Sequence, residues 1–163
     1  MAEIDFITAL HRSTQRDYLG RVTRRDKAAD AEIAGQFGQA YWDGDRDTGY
    51  GGYYYDGRWR GVATAMMQHY KLPDDAAILD VGCGKGFLLY EFTQILPRAR
   101  VAGIDISDYA LAHAKEEVKP FLQRASADAL PFADDEFDLV ISINTLPNIS
   151  VLAPADAEQM RQL

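Results

Sequence analysis

From residue 76 onward, short apolar runs alternate with longer amphipathic ones: AAILDV then GFLLYEFTQIL, RVAGIDI then SDYALAHAKEEV, a short run near 121–127, then FDLVISIN. The short runs are apolar at almost every position, as strands covered on both faces are. Strand and helix in alternation predict βαβ units, hence a mostly parallel, doubly wound α/β sheet with right-handed crossovers. Pro97 and Pro120 are placed to stop the two helices, and Ser107 to cap the second. In such sheets ligands bind beyond the carboxyl ends of the strands, near the point where strand order reverses.

Ahead of residue 76 the pattern is helical, with one interruption. Residues 1 to about 40 read as helix, with Thr23 and Asp26 at capping-box spacing and Ile33, Phe37 and Tyr41 as a stripe at four-residue steps. Arg21, Arg24, Arg25 and Lys27 read as a solvated basic face. WRGVATAMMQHYKL carries Val62, Met66 and Tyr70 at helical spacing and ends before Pro73; these are expected core contacts. The interruption is YWDGDRDTGYGGYYYDGRWR, residues 41–60, in which seven of twenty residues are aromatic and five are glycine. Rings seek burial, whereas this glycine density resists a regular element.

Composition narrows the class. A chain of 163 residues is one domain's worth, and a net charge of −8 disfavours a nucleic-acid partner. No apolar run approaches the ~20 residues that span a bilayer, and the first residues lack a basic leader and apolar core, so no membrane association is expected. Cys83 is the single cysteine, which fits a reducing, cytoplasmic setting.

The first strand runs into LDVGCGKGF, residues 79–87, with Gly82, Gly84 and Gly86 in the turn to the next helix. Glycine allows positive φ and close approach to a ligand, and the opening helix points free amides into the same space. A dinucleotide fingerprint would need glycine at 87, where this chain has Phe87, and no phosphate-loop Gly-Lys-Ser/Thr follows at the required spacing. Asp-Val-Gly-Cys-Gly-Lys-Gly at 80–86 instead resembles the first motif of class I S-adenosylmethionine-dependent methyltransferases. GIDIS with Asp105, ASADALPF with Asp128 and FDLVISIN with Asn144 follow in matching order, over residues 74 to 150. ADALPF followed by DEFDLV is similar to the small-molecule branch often called type 11.

The resemblance implies a Rossmann-like fold, S-adenosyl-L-methionine as cofactor and a small-molecule methyl acceptor. It implies that Asp80 serves the cofactor's ammonium group, that Gly82 and Gly84 let the backbone approach its methionine and ribose portions, and that Asp105 accepts both ribose hydroxyls. Asp128 would accept the adenine amino group and the Ala129 amide a ring nitrogen, with Ile106 and Leu130 sandwiching the ring. Cys83 and Gly86 complete the turn, Cys83 as a small filler. His11, His69 and His113 show no carboxylate partner in the sequence, so none is expected as a base.

In this family, segments ahead of the first motif commonly fold over the cofactor. Residues 1–60 are accordingly expected to form a helical cap and an aromatic lid, on a cofactor domain of residues 61–163. Tyr54 would face the sulfonium, Arg58 would pair with the methionine carboxylate or an acidic acceptor, and glycines 49, 51 and 52 would act as hinges. The family's sheet has seven strands and only four are legible here, with Pro154 opening a helix after the fourth. LVISI is therefore expected as an apolar edge prone to self-association, completed by a longer polypeptide or by another subunit. The rival readings are a non-catalytic cofactor-binding remnant and a nicotinamide-dependent oxidoreductase, the latter disfavoured by Phe87.

Overall fold

The computed structural model describes residues 4–11 and 27–145. The expected capping box at Thr23 and Asp26, the arginines at 21, 24 and 25, the side chains of His11 and Lys27, and the helix at Pro154 lie outside what is described.

Four parallel strands form one sheet in the order β3-β2-β1-β4: β1 (Ala77–Val81), β2 (Arg100–Asp105), β3 (Leu122–Arg124) and β4 (Leu139–Ile141). The chain steps outward from β1 to β3, then returns to the far side of β1, so strand order reverses beside β1. β1 is buried at all five positions. Ile78 packs with Val62, Met66, Leu88, Leu89 and Phe92 on one face, while Leu79 and Val81 pack with Ile104, Ala127 and Leu130 on the other.

Helices cover only the first of these faces among the described residues. α4 (Arg60–Tyr70) and α5 (Phe87–Ile95) lie there, and Phe6, Ile7 and Leu10 around α1 (Thr8–His11) pack onto the same cluster. Asp5 caps α1 by accepting the Ile7 and Thr8 amides at 2.9 and 2.8 Å. The second face is covered by the stretch from Ala125 to Phe137. β4 is the edge of the described sheet, and Leu139 and Val140 on it are half-buried.

Several elements depart from the sequence pattern. The expected stripe at Ile33, Phe37 and Tyr41 is broken, because α2 (Lys27–Ala34) stops at Gly35 and Phe37 takes φ 48° before α3 (Gln39–Trp42) begins. Tyr70 is 50% exposed, since four-residue steps drift by about 40° each around a helix of 3.6 residues per turn. α6 (Asp108–Ala112) is shorter than its apolar pattern: the Lys115 amide donates to the Lys85 carbonyl at 3.0 Å and draws the chain off the helical ladder. Pro120 therefore stops no α-helix and sits in a single 3₁₀ turn, Lys119–Phe121. Ser107 caps α6 as expected, its Oγ accepting the Ala110 amide at 3.0 Å.

Residues 43–59 carry no helix or strand, yet they are packed in place. The fastening is Lys85, in the turn after β1, whose ammonium is buried and donates to both Asp43 carboxylate oxygens at 2.7 and 2.8 Å and to the Tyr53 carbonyl at 3.0 Å. Tyr109 Oη and the Tyr53 amide also donate to Asp43, at 2.9 and 3.2 Å. Burial would raise the Asp43 carboxyl, but these hydrogen bonds outweigh it and hold the group below the usual carboxylate range. Tyr55 and Arg60 tie the far end to the buried Glu91 at 2.7 and 3.3 Å.

A Lys85→Met variant keeps the aliphatic stem and leaves Asp43 enclosed without its cation. It should lose roughly 2–3 kcal/mol in urea denaturation, somewhat under the cost for a fully enclosed pair because Asp43 keeps some solvent contact. Because Asp43 is held low in the folded state, the pair's contribution should be present above about pH 4 and fade as pH falls through the folded value. An unchanged denaturation midpoint at pH 7 would contradict this role.

Candidate active site

At the carboxyl ends of the four strands lies a cavity of about 300 Å³, at the small end of the range for ligand pockets. Its floor is made by Val81 and Gly82 at the end of β1, Ile104 to Ile106 around the end of β2, Ala125 to Asp128 after β3, and Ile143 to Thr145 after β4. Its roof is Phe37, Tyr41, Trp42 and Tyr50. All four strand ends therefore converge on one space, beside the point where strand order reverses.

The turn after β1 shapes the floor. Gly82, Gly84 and Gly86 all have positive φ, at 83°, 54° and 70°. At Gly82 a Cβ would run into the Thr145 hydroxyl, so only glycine lets the end of β1 and the segment after β4 meet at the cavity.

Two carboxyls dominate the electrostatics. Asp105 is buried, and its oxygens accept the amides of Gly84 and Ser107, each at 2.8 Å. Burial pushes Asp105 above its ordinary value, opposed by those amides. Asp80, behind the turn, is buried, and no described residue donates a hydrogen bond to its carboxyl. Burial first, and the Asp105 charge second, push Asp80 up to about 7. Two carboxyls that oppose each other's ionisation make a place where a cation is stabilised.

The roof is a continuous ring stack. Tyr50 lies nearly parallel to Trp42 with centroids 5.3 Å apart, touches Tyr53 at 4.8 Å, and Tyr53 in turn stacks on Phe87 of α5 at 4.9 Å. Trp42 Nε1 donates to Ser107 Oγ at 2.9 Å and to the Phe37 carbonyl at 3.0 Å. Gly49 permits this fold-back, since a Cβ there would meet the Tyr41 carbonyl.

Of the residues expected from sequence, the structure brings Gly82, Asp105, Ile106, Asp128 and Asn144 to the cavity, with Asp80 beside it. Others go elsewhere. Cys83 is buried in the α5-side core, with burial pushing its thiol well up, as suits a filler. Gly84 leaves room for the Trp42 ring, and Gly86 for Val118 and Leu122. The Ala129 amide donates to the Ser126 carbonyl at 3.2 Å, and Leu130 belongs to the second core cluster. Tyr54 is 68% exposed and off the cavity, and Arg58 is turned onto its neighbour Asp56 through Nε at 2.9 and 2.7 Å. Glycines 49, 51 and 52 serve close packing and turning within the cap.

Sequence reasoning missed Lys85, Asp43, Glu91 and Ser107's bond to Trp42. The one available signal was a lysine set among glycines between two buried runs, where its ammonium must find a partner. Of the histidines, His113 is exposed with Nδ1 2.8 Å from the Tyr109 carbonyl, and His69 packs against Phe6 and Tyr70. Among the described residues no cluster of metal ligands occurs, and no helix is long and apolar enough to cross a membrane.

Comparison with known proteins agrees with this architecture. The family model of a methyltransferase domain matches residues 78–162, just over half of the chain. A malonyl-[acyl-carrier protein] O-methyltransferase from Geobacter sulfurreducens is 33% identical over 94 residues, covering 55% of this chain and 35% of that protein. A ubiquinone/menaquinone biosynthesis C-methyltransferase from Paracoccus denitrificans is 32% identical over 107 residues, covering 61% and 43%. The crystal structure of a SAM-dependent methyltransferase from Aquifex aeolicus superposes with a TM-score of 0.50 at 16% identity, over 85% of this chain and 67% of that one, and shares the fold. The chain spans about a third of the length of the first of these relatives. On the family match, with the strand order and the glycine turn behind it, the chain belongs to the methyltransferase domain family of the class I, S-adenosylmethionine-dependent type.

Proposed function

We propose that the chain binds S-adenosylmethionine at the carboxyl rim of its sheet and serves methyl transfer to a small-molecule acceptor in a cytoplasmic setting. The observation that carries the reading is the convergence of four strand ends on one cavity with a glycine-cradled floor, lined by the buried Asp105 and backed by the buried Asp80. The donor set fits the cofactor: Asp80 has no described hydrogen-bond donor to offset its burial, which suits an ammonium group, and each Asp105 oxygen keeps acceptor capacity beyond its one amide. Asp128, exposed at the cavity rim, and Ile106 are left for the nucleobase.

When bound, S-adenosylmethionine supplies a methyl group already activated by a positive sulfur, which departs as a neutral thioether. The residues of this chain then have to hold and align the reactants and exclude water, not to form a covalent intermediate. The ring roof supplies the exclusion, and its faces favour a cation beneath them. The two relatives named above carry oxygen- and carbon-methylation in their names, so the acceptor atom is left open within this reading. The remnant reading shares the cofactor site and differs only in activity.

Calorimetric titration with S-adenosylhomocysteine tests the site. Binding should be seen with the unsubstituted chain, fall at least tenfold in Asp105→Ala through lost charge-assisted hydrogen bonds, and fall several-fold in Asp128→Ala, whose exposed turn can lose a carboxylate without unfolding. A folded chain giving no heat would overturn the reading.

A second expectation concerns pH. Asp80 at about 7 in the folded chain lies above its unfolded value, so the folded state holds the extra proton. Stability from this group is full below about pH 4, declines as pH rises toward 7 and is level beyond. A ligand ammonium needs the ionised form, so affinity for S-adenosylhomocysteine should rise roughly tenfold from pH 6 to pH 8, with proton release. Asp80→Asn should abolish that dependence; a pH-independent affinity in the unsubstituted chain would refute it.

A further inference from the structure

The aminoacyl end of the proposed cofactor carries a carboxylate as well as an ammonium group, and the cavity offers that carboxylate no cation. Asp105 and Asp128 line the space, and no lysine, arginine or histidine does so among the described residues. Lys85 is engaged with Asp43 and the Tyr53 carbonyl, Arg58 with Asp56, and Arg124, next to Ala125, with the Ile106 carbonyl and Asp108.

Four of the five amides of the turn at 82–86 are engaged as well. Gly82 and Cys83 both donate to the Ile104 carbonyl at 2.8 and 2.9 Å, Gly84 to Asp105 at 2.8 Å, and Gly86 to the Cys83 carbonyl at 2.9 Å. This turn thus spends on its own folding the donors that such turns offer to anions elsewhere.

Two hydroxyls remain on the roof, bonded to each other, with Tyr50 donating to Tyr41 and the Tyr41 proton left for a ligand. Tyr41 and Tyr50 both line the cavity, with rings edge-to-face at 5.4 Å. The main chain fixes them together, since the Tyr50 amide donates to the Tyr41 carbonyl at 2.8 Å. Trp42 and Tyr53 brace Tyr50 from either side.

We propose that the hydroxyls of Tyr41 and Tyr50 form the subsite for the carboxylate of the cofactor's aminoacyl end. The inference rests on the cofactor reading above and deepens it. Neutral donors suit this place. A lysine or arginine would pair with Asp105 or Asp80 and cancel the negative potential that holds the ammonium group, whereas a hydroxyl donates without adding charge. Burial first, then Tyr41 through its charge and the hydrogen bond they share, and Asp105 hold Tyr50 up at about 12; burial raises Tyr41 against the lowering effect of that bond, so both stay protonated through the neutral range.

The test compares three ligands by calorimetry: S-adenosylhomocysteine, its decarboxylated analogue with the ammonium retained, and 5′-methylthioadenosine, which lacks both groups. The unsubstituted chain should prefer S-adenosylhomocysteine to the decarboxylated analogue by tenfold or more. In Tyr41→Phe/Tyr50→Phe, which keeps the rings and their packing, that preference should vanish, while affinity for the other two ligands stays put and reports an intact fold. Equal losses on all three ligands would show the tyrosines acting as wall alone and overturn the proposal, as would a preserved preference. No binding of S-adenosylhomocysteine by the unsubstituted chain would overturn the cofactor reading and this inference with it. That result is distinct from binding with preserved preference, which overturns the subsite alone.

Discussion

A buried ammonium organises this molecule. Lys85 sits in a turn whose glycines take left-handed backbone, between a strand with no exposed residue and a helix that faces the core, so its side chain cannot reach open water. A charge so enclosed must be paired and hydrogen-bonded. Asp43 and the Tyr53 carbonyl meet that demand, and both belong to the segment ahead of the sheet. Satisfying Lys85 thus docks a glycine-rich stretch that has no helix or strand of its own. Trp42, bonded to Ser107 beside Asp105, makes a second fastening on the next strand end. The roof of the cavity follows from these two contacts.

Docking the cap has an electrostatic consequence. With Lys85 neutralised outside the cavity, Asp80 and Asp105 remain as an acidic pair with no positive side chain lining the space. The same turn consumes four of its amides on Ile104, Cys83 and Asp105. What is left is negative potential below and aromatic faces with hydroxyls above, an arrangement built for a cation carried on a larger polar ligand. The proposed binding of the methyl donor uses both halves.

The sheet was legible because β1 and β2 are buried on both faces and so read as unbroken apolar runs, and Asp80, Asp105 and Asp128 stand directly at or after strand ends. α6 was overestimated because its apolar periodicity continues past Ala112, whereas a tertiary hydrogen bond from Lys115 ends it. Leu130 read as a ring contact, but the same apolar side chain packs equally well in the core, and periodicity does not distinguish the two. Tyr54 and Arg58 were misplaced for a related reason. In a stretch with seven rings, composition tells that a wall forms but not which rings face inward. That choice is made by Lys85 and Asp43, 42 positions apart, and no local pattern reports such a pairing.

The central claim is that the docked segment and the strand ends enclose one cofactor site. Hydrogen-exchange mass spectrometry with and without S-adenosylhomocysteine tests it most directly. The account predicts added protection together in residues 37–53, in the turn at 82–86 and around 105–107. Protection confined to the strand ends, with residues 37–53 exchanging as in the free chain, would contradict it.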